Sequence, residues 1–411
     1  MNWLDRLTTV MLGALASLLV GSALAFYTPL DAARYVWEKS DTLLLLASMG
    51  VVTGALVESG CLARLARTAV RLSRGDRRRL FQLFCALTYT LSLTVNNLTT
   101  IMIMIPLSLV VTERMGMDPI PLVLGEVVAS NLGGASTMVG DFPNMLLAAD
   151  LGLPFRDFLT YLAPVCLLQL GILIAYLQRA YPVGESRRRA SSETESPEKW
   201  DRAMAFRGKL ILGGVLVGFI VGGELGVSPV YVAAAGVLWV IAWARLPMSK
   251  IVERVGIDNV AFFVCLFIMV GAISAAGTFD SLGHHLKSLL QRSPVVGVIT
   301  LACAAAVLTA FFNAGPTTAL LIHILLAGAW PAELTLGPAN QVVWWALSLG
   351  VCAGSSATLT GATAGPIAAS ILEQQGKELN FRRFAETGIP LMTLFLVVSS
   401  LYLTLLIRST S

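Results

Sequence analysis

Apolar runs of about 20 residues recur along almost the whole chain, and they constrain its fold more than any other feature. A run of this length crosses about 30 Å of hydrocarbon as an α-helix. Only 13% of the 411 residues are charged and 56% are hydrophobic, whereas soluble domains carry roughly 25% charged residues. The mean hydropathy is +0.75. The core of a soluble protein could not bury this much apolar surface. The sequence therefore predicts an all-α polytopic membrane protein.

One stretch inside this apolar sequence is irregular. "SNLGGASTMVGDFPNMLLAAD", residues 130–150, places glycines, a proline and an acid at membrane depth. Irregular backbone cannot face lipid, because each unpaired N–H or C=O group costs several kcal/mol there. The stretch therefore predicts a helix that is broken where it lines a protected cavity.

The irregular stretch has a second copy. "GGASTMVGDFPN" (133–144) aligns without gaps on "GSSATLTGATAG" (354–365), which pairs Thr137 with Thr358 and Gly140 with Gly361. An asparagine followed by a Thr-Thr pair precedes each copy, in "TVNNLTTIMIMIP" and "FFNAGPTTALLIH". The order of hairpin, broken helix and final span thus occurs twice. Interrupted helices at matching positions of two halves indicate the binding site of a transporter.

The predicted path has nine crossings and two re-entrant hairpins. The crossings are 7–27, 42–59, 119–149, 158–178, 206–224, 230–244, 256–277, 341–372 and 387–407, of which 119–149 and 341–372 are broken, and the hairpins are 81–112 and 294–330. Residues 1–182 form the first repeat, 183–204 a cytoplasmic linker, and 205–411 a linking span followed by the second repeat. The linking span 206–224 turns the second repeat upside down.

Arginine sets the expected orientation. "RLARTAVRLSRGDRRR", residues 64–79, is the densest basic run, and the positive-inside rule places it in the cytoplasm. A juxtamembrane loop explains this run better than a nucleic-acid contact, so no nucleic-acid partner is expected. "MNWLDRL" has no net positive charge, so we expect a retained first span rather than a cleaved signal peptide. The expected location is a prokaryotic-type inner (plasma) membrane, with the N-terminus cytoplasmic.

Neutral polar side chains cluster at the two hairpin tips and the two breaks. The substrate-binding candidates are Asn96, Asn97, Thr99, Thr100, Ser136, Thr137, Asn144, Asn313, Thr317, Thr318, Ser355, Ser356 and Thr358. The alternative is a purely structural role, in which Gly, Asn and Thr only let helices pack closely. Four clusters in a repeated order favour a binding site over that alternative.

The first broken helix resembles a known family. "GEVVASNLGGASTMVGDFPN" is similar to the motif of the ion-transporter superfamily, which contains arsenite-efflux permeases, NhaD-type sodium/proton antiporters, the pink-eyed-dilution protein and citrate or silicic-acid carriers. The matching residues are Glu126, Ala129, Ser130, Asn131, Gly133, Gly134, Thr137, Gly140, Asp141, Pro143 and Asn144. The hairpin sequence "NNLTT" also resembles the family's Asp-Asn-Val-Thr-Thr.

This resemblance implies a homodimer, a scaffold half in each repeat, and an elevator-like transport unit built from the hairpins and broken helices. The chain also departs from the family. The family's hairpin aspartate is Asn96 here, its second-half partner is Asn313, and Ala314 follows where the family has asparagine. The loss of these carboxylates puts sodium antiport in doubt.

Glu126 and Asp141 are the candidates for proton coupling, because an ionisable residue at membrane depth is a functional candidate by default. Glu126 lies about two turns before the break, and its alternative role is a structural tie to a neighbouring helix. Asp141 lies within the break, where it could also cap the second half-helix by accepting bonds from N–H groups near Asn144. His323 could shuttle protons or be a packed, hydrogen-bonded residue.

Together these features predict a secondary transporter that exports a small, uncharged metalloid hydroxide, such as arsenite or silicic acid, against inward protons. Lys and Arg are missing mid-span near the breaks, so a polyanion would lack a fixed counter-charge. The alternatives are a sodium/proton antiporter or a sodium-coupled anion transporter of the same superfamily, and, from another class, a channel. An enzyme is not expected, nor is a metal site or a cofactor; the coupling ion is H⁺, with Na⁺ as the alternative.

Overall fold

The computed structural model describes residues 6–181, 201–244, 246–277, 288, 293–327 and 341–410. These ranges are α-helical and contain no strand. The helices are α1 (Arg6–Ala23), α2 (Pro29–Glu38), α3 (Ser40–Glu58), α4 (Cys61–Ser73), α5 (Arg77–Ser92), α6 (Asn97–Met115), α7 (Pro119–Ala135), α8 (Phe142–Leu151), α9 (Phe155–Ala180), α10 (Arg202–Glu224), α11 (Pro229–Ala244), α12 (Met248–Val255), α13 (Ile257–Ala275), α14 (Pro294–Phe312), α15 (Ala314–Ala327), α16 (Val342–Ser355), α17 (Gly365–Glu373) and α18 (Phe381–Thr410).

Seven helical segments of the described chain are long and apolar enough to cross a membrane. They are α3, α6, α9, α10, the α12–α13 segment, α14 and α18. Two of them, α6 and α14, are arms of the predicted hairpins. With 17 residues, α7 reaches only about 26 Å at 1.5 Å per residue, so it needs α8 beyond the break to complete a crossing. The predicted all-α membrane fold is confirmed.

Three helices were not expected from the sequence: α2, α4 and α12. All three are amphipathic and shorter than a span, so a search for apolar runs does not detect them. The first helix also ends at Ala23 rather than residue 27, because the chain turns at Ala25 (φ 57°) and Thr28 caps α2.

The predicted linker ends slightly earlier than expected, because residues 202–204 belong to α10, which Asp201 caps. Residues 1–5, 183–200 and 328–330, which the predicted path included, lie outside the described residues.

The two copies use the same helix partners. In the first, α5, α6 and α9 pack on α7; in the second, α14, α15 and α18 pack on α16. Each copy therefore consists of a hairpin, a broken helix and a final span around the first half-helix. This is the repeat that the aligned sequences predict.

The copies are also interleaved. The half-helix α8 packs on α15 of the second hairpin, and α17 packs on α6 of the first. The half-helices α7 and α16 contact each other directly. Every described residue of α16 is buried, as is every residue of α7 except the half-buried Pro121. The half-helices that lead into both breaks therefore lie inside the molecule, while Thr360 in the second break is exposed.

Ion pairs between helices agree with the predicted path. Each joins two chain segments that the path places on the same side of the membrane: Lys39–Asp150 and Arg156–Glu224 on the outer side, and Glu58–Arg254, Glu58–Lys250 and Asp118–Arg383 on the inner side.

The two hairpins enter from opposite sides. At the base of the first, the Arg77 guanidinium donates to the Met115 carbonyl oxygen, three residues from Asp118. On the second, His323 lies with its ring centroid 6.3 Å from that of Tyr35 in α2, near Lys39. Opposite entry is the relation expected of an inverted repeat.

The remaining helices form a second layer. Helix α3 packs on α10, α11 and α12, and α13 packs on α1 and α2. This layer contacts the interleaved copies through α3 with α8 and through α13 with α15. Phe142, the first residue of α8, stacks on Phe263 of α13 with ring centroids 3.4 Å apart.

Candidate functional site

The first hairpin tip is bonded to the first break. The Thr137 hydroxyl donates to the Leu93 carbonyl oxygen at 2.6 Å and accepts from the Gly140 amide at 3.1 Å. The side chains of Asn97, which begins α6, and Asp141 lie side by side, since both would contact a Cβ atom added at Gly134. The Thr137 hydroxyl can donate and accept at the same time because a hydroxyl carries one donor and two lone pairs. The break is therefore held by one side chain that bridges it to the tip.

The second copy has the same pattern of hydrogen bonds. The Thr358 hydroxyl donates to the Ala310 carbonyl oxygen at 2.6 Å and accepts from the Gly361 amide at 3.0 Å. Thr358 and Gly361 are the residues that the sequence alignment pairs with Thr137 and Gly140. The structure thus gives the aligned residues equivalent positions. Asn313 joins this tip to its break by donating from Nδ2 to the Thr360 carbonyl oxygen at 2.9 Å.

Two asparagines connect the copies. Asn131 Nδ2 donates to the Ser355 carbonyl oxygen at 3.1 Å, and the Ser348 hydroxyl donates to Asn144 Oδ1 at 2.7 Å. Asn144 Nδ2 also donates to the carbonyl oxygens of Ala135 and Thr137, both at 2.9 Å. Carbonyl groups freed by the break are thereby satisfied, as a buried break requires. Asn144 binds both sides of the first break to the second copy.

Glycine permits the close approach of each broken helix to its hairpin. A Cβ atom added at Gly133 would collide with the Tyr89 carbonyl oxygen, and one added at Gly354 would collide with the Ala306 carbonyl oxygen. A Cβ at Gly134 would lie 2.6 Å from Asn97 Oδ1. Backbone approach this close is possible only without a side chain.

The other predicted residues line the same region. Asn96 caps α6 by accepting from the Thr99 amide at 2.9 Å, and the Thr100 hydroxyl donates to the Val95 carbonyl oxygen. The remaining hydroxyls that donate within their own helix or break belong to Ser136, Thr318, Ser355 and Ser356. Thr317 Oγ1 is buried and has no hydrogen-bond partner among the described residues. Apart from Thr317, these hydroxyls already donate to backbone carbonyl oxygens, so a solute that bound them would replace existing bonds.

The structure separates the two predicted coupling acids. Asp141 is half-buried in the break and accepts from the Phe142 amide at 2.9 Å, so it caps α8 at Phe142 rather than near Asn144. Glu126 lies ten residues before Ser136, about 15 Å along a helix. That is further from the break than the two turns expected from the sequence. Only Asp141 lies at the tips and breaks.

Glu126 is wholly buried and lies between the arms of the first hairpin. Its Oε1 accepts from the Ser108 hydroxyl of α6 at 2.6 Å, while Oε2 has no partner among the described residues. A cavity of about 360 Å³ opens near the base of this hairpin and is lined by Leu122, one turn before Glu126, as well as by Phe81 and Arg77. This cavity approaches Glu126 from the side of Asp118.

Sequence reasoning missed several residues of the network. Ser92 donates to Asn97 Oδ1 at 2.5 Å and lies 2.8 Å from the Ser130 carbonyl oxygen, and Ser108 and Ser348 hold Glu126 and Asn144. A serine in an apolar helix is ordinary, so Ser108 and Ser348 give no signal of their own. Ser92 could have been found, because it ends the helix before the tip.

A separate polar cluster lies toward the predicted outer side. Lys39 Nζ pairs with Asp150 Oδ2 at 2.6 Å, and it lies 5.7 Å from the centroid of the Tyr35 ring. His323 Nε2 is 2.5 Å from the Ser274 hydroxyl. His323 is therefore a hydrogen-bonded residue at the contact between α13 and α15, away from both breaks.

The site is neutral apart from one acid. The tips and breaks together comprise residues 93–100, 131–145, 309–318 and 352–365. They contain no Lys, Arg or His, and Asp141 is their only acidic residue. Amide and hydroxyl groups offer donors and acceptors together. Such an arrangement can bind hydroxyl groups of a small solute, or, through its oxygen atoms, a cation.

Comparison with known proteins agrees with this architecture. A family model described as "Citrate transporter" (CitMHS) matches residues 1–350. The magnetosome protein MamN of Paramagnetospirillum magneticum is 33% identical over 422 residues, covering 97% of this chain and 94% of MamN. An uncharacterized transporter of Mycobacterium bovis is 28% identical over 409 residues, with 97% and 94% covered.

Among solved structures, the fold is similar to that of the YdaH transporter of Alcanivorax borkumensis. The TM-score is 0.61 at 16% identity, and 98% of each chain is covered. At this identity the likeness concerns the fold alone. The family match, the similarity to MamN and the paired helix breaks lead to one conclusion: the chain belongs to the citrate transporter family of the ion-transporter superfamily, and it is a multi-pass membrane transporter rather than an enzyme.

Proposed function

We propose that the protein is a proton-coupled secondary transporter that exports a small, uncharged, hydroxylated solute, with arsenite and silicic acid as the model substrates. The observation that carries this proposal is the neutral polar site at the two tips and breaks, which has a single acid, Asp141. A metalloid hydroxide offers several O–H groups to such a site and needs no counter-charge.

Coupling to protons is supported by the position of Glu126. Among the described residues Glu126 has one side-chain hydrogen bond and no ion pair. A carboxyl group buried in this way is costly to ionise, so it suits a group that gains and loses a proton during the cycle. The cavity beside Leu122 would bring water and protons within one turn of it from the predicted cytoplasmic side. Asp141, which lies beside Asn97 at the first tip, would sense whether the solute site is occupied.

A sodium-coupled anion transporter is the second candidate. The observation that favours it is the oxygen-rich surroundings of Asp141, since sodium prefers oxygen ligands and could offset the charge of a carboxylate solute. The description of the matching family model, "Citrate transporter", agrees with this candidate. A continuous channel is less well supported, because it would need neither the inverted repeat nor buried acids.

The wider assembly is also proposed. By family analogy we place the chain in a prokaryotic-type inner (plasma) membrane as a homodimer, with a cytoplasmic N-terminus and with residues 1–182, 183–204 and 205–411 as first repeat, linker and second half. The layer of α3 and α10–α13 would be the scaffold, and the interleaved hairpins and broken helices would move as an elevator-like unit. Stacking of Phe142 on Phe263 lies at the boundary between them.

Solute flux in proteoliposomes with an imposed pH gradient tests the proposed function. We expect the wild type to transport arsenite or silicic acid equally well when choline replaces sodium, and not to transport dicarboxylates. Asn96→Asp should weaken solute flux, because a new acid at the tip must be desolvated or must hold a proton of its own. The fold should survive, since aspartate caps a helix as well as asparagine does. Loss of wild-type flux in choline would reject proton coupling in favour of sodium coupling.

Single cysteines test whether both tips and breaks form one site. Thr99 and Thr363 are half-buried on the first tip and the second break. With the partly exposed native Cys265 and Cys303 replaced by alanine, we expect silicic acid to slow labelling of both Thr99→Cys and Thr363→Cys by a polar thiol reagent. Gln375→Cys, an exposed position in the turn after α17, is the control and should be labelled at the same rate with and without silicic acid. Protection of one position alone would argue against a shared site.

A further inference from the structure

A basic cavity lies between α4 and the start of α10, far from the tips and breaks. Its volume is about 430 Å³, within the range of small-molecule sites. The residues that line it are Cys61, Arg64, Leu65, Thr68, Arg202 and Lys209. Three of the six carry a positive charge and none carries a negative one, so the cavity suits an anion.

The three cations are arranged at two depths. Arg202 begins α10, and Lys209 follows seven residues later, about 10 Å further along the helix axis. Phe206, on the same face between them, is 61% exposed. Further along α10, Leu210 and Val217 are also exposed. A charged recess thus continues into an apolar stripe on a membrane-spanning helix.

Helix α4 supplies the other wall and has the same dual character. It is amphipathic and lies between a spanning helix and the first hairpin, where the path predicts the cytoplasmic surface of the membrane. Arg64 and Leu65 line the cavity, and Leu65 and Leu72 are both exposed, one beside the other on the helix. A basic amphipathic helix with exposed leucines lies at the lipid interface.

We propose that this cavity binds the phosphate headgroup of an anionic phospholipid. Arg64, Arg202 and Lys209 would contact the phosphate oxygens, and the acyl chains would lie along Phe206, Leu210 and Val217. Basic pockets between membrane helices on the cytoplasmic side bind such headgroups. The exposed apolar stripe favours a lipid over free phosphate, which would gain nothing from it.

The bound lipid would join two parts of the molecule. Helix α4 packs on both arms of the first hairpin, whereas α10 packs on α3 and α11. A headgroup held by Arg64 on one side and Lys209 on the other would connect the hairpin to the second layer of helices. Anionic lipid should therefore affect both thermal stability and flux.

Lipid binding to the purified full chain, followed by native mass spectrometry and by the apparent Tm, tests the site. We expect phosphatidylglycerol and cardiolipin to bind and raise Tm, and phosphatidylcholine not to. The triple variant Arg64→Gln, Arg202→Gln, Lys209→Gln should bind phosphatidylglycerol about 100-fold more weakly, from about 5-fold per cation removed. The control triple Arg71→Gln, Arg74→Gln, Arg78→Gln removes the same charge nearby but does not line the cavity, and should change affinity by less than about 5-fold.

Two further arms separate the alternatives. Inorganic phosphate at millimolar concentration should leave Tm unchanged; an equal rise with phosphate would show a site for free anions and overturn the lipid assignment. If the triple variant does not fold, Lys209→Gln alone should weaken binding and Lys209→Arg should restore it. Equal losses in the two triple variants would show unspecific charge attraction and reject the site.

Discussion

Glu126→Gln should abolish transport driven by a pH gradient while the protein still folds. Glutamine reproduces the protonated form of the side chain: its oxygen can accept from the Ser108 hydroxyl, and its amide group takes the place of the unpartnered Oε2. The variant cannot release a proton, so a cycle that requires loading and unloading of Glu126 must stop. Flux in proteoliposomes with an imposed pH gradient should fall to the level of protein-free vesicles.

Glu113→Gln is the matched control for this experiment. Glu113 lies on the same helix, α6, but is exposed near the base of the hairpin. We expect this variant to transport at the wild-type rate with an unchanged Tm. If Glu126→Gln also retained full gradient-driven flux, the hydrogen bond to Ser108 would be its role, and Glu126 would be a structural tie between α6 and α7.

Gly133→Ala should destabilise the protein and eliminate transport. The added methyl group would collide with the Tyr89 carbonyl oxygen and lie 2.9 Å from the Ser92 Cβ atom. Both neighbours belong to α5, whose backbone cannot yield without displacing the first tip. Overpacking of this kind costs about 1–3 kcal/mol. Thermal unfolding in detergent, monitored by tryptophan fluorescence, and flux in proteoliposomes measure the two effects.

Gly171→Ala separates this collision from the general effect of alanine in a helix. Gly171 lies in α9, and a Cβ atom there would meet nothing within 4 Å. Because alanine favours helices over glycine by about 1 kcal/mol, this control should leave Tm equal or higher. An unchanged Tm for Gly133→Ala would show that α5 and α7 can move apart, and that the tip is not rigidly docked on the break.

The breaks and tips could be predicted because their signals are local. Glycine and proline in an apolar run mark a broken helix within a few residues, and the gapless alignment placed Thr137 and Thr358 at positions that the structure shows to be equivalent. Apolar length likewise located the spans to within a few residues. Contact of these residues with a solute stays a prediction.

The remaining features depend on contacts that a single sequence does not contain. Ser348 and Asn144 are more than 200 residues apart, and the sequence around each residue does not indicate that they form a hydrogen bond. The separation of Glu126 from Asp141 follows from the rise of a continuous helix, which the sequence pattern around the break does not reveal. Short amphipathic helices such as α4 were missed because their charges interrupt the apolar pattern.

The enclosure of α7 has a consequence for synthesis of the protein. Its partner α16 begins about 200 residues later, which a ribosome makes in roughly 10–40 s. Until then, the hydrogen-bond partners of Asn131 and Asn144 in the second repeat have not been made. The helix that carries Glu126 is also not yet enclosed by protein on all sides. The insertion machinery must keep these polar residues of the first repeat away from lipid throughout that interval. A chain terminated after the first repeat would be a substrate for quality-control proteases rather than half of a working transporter.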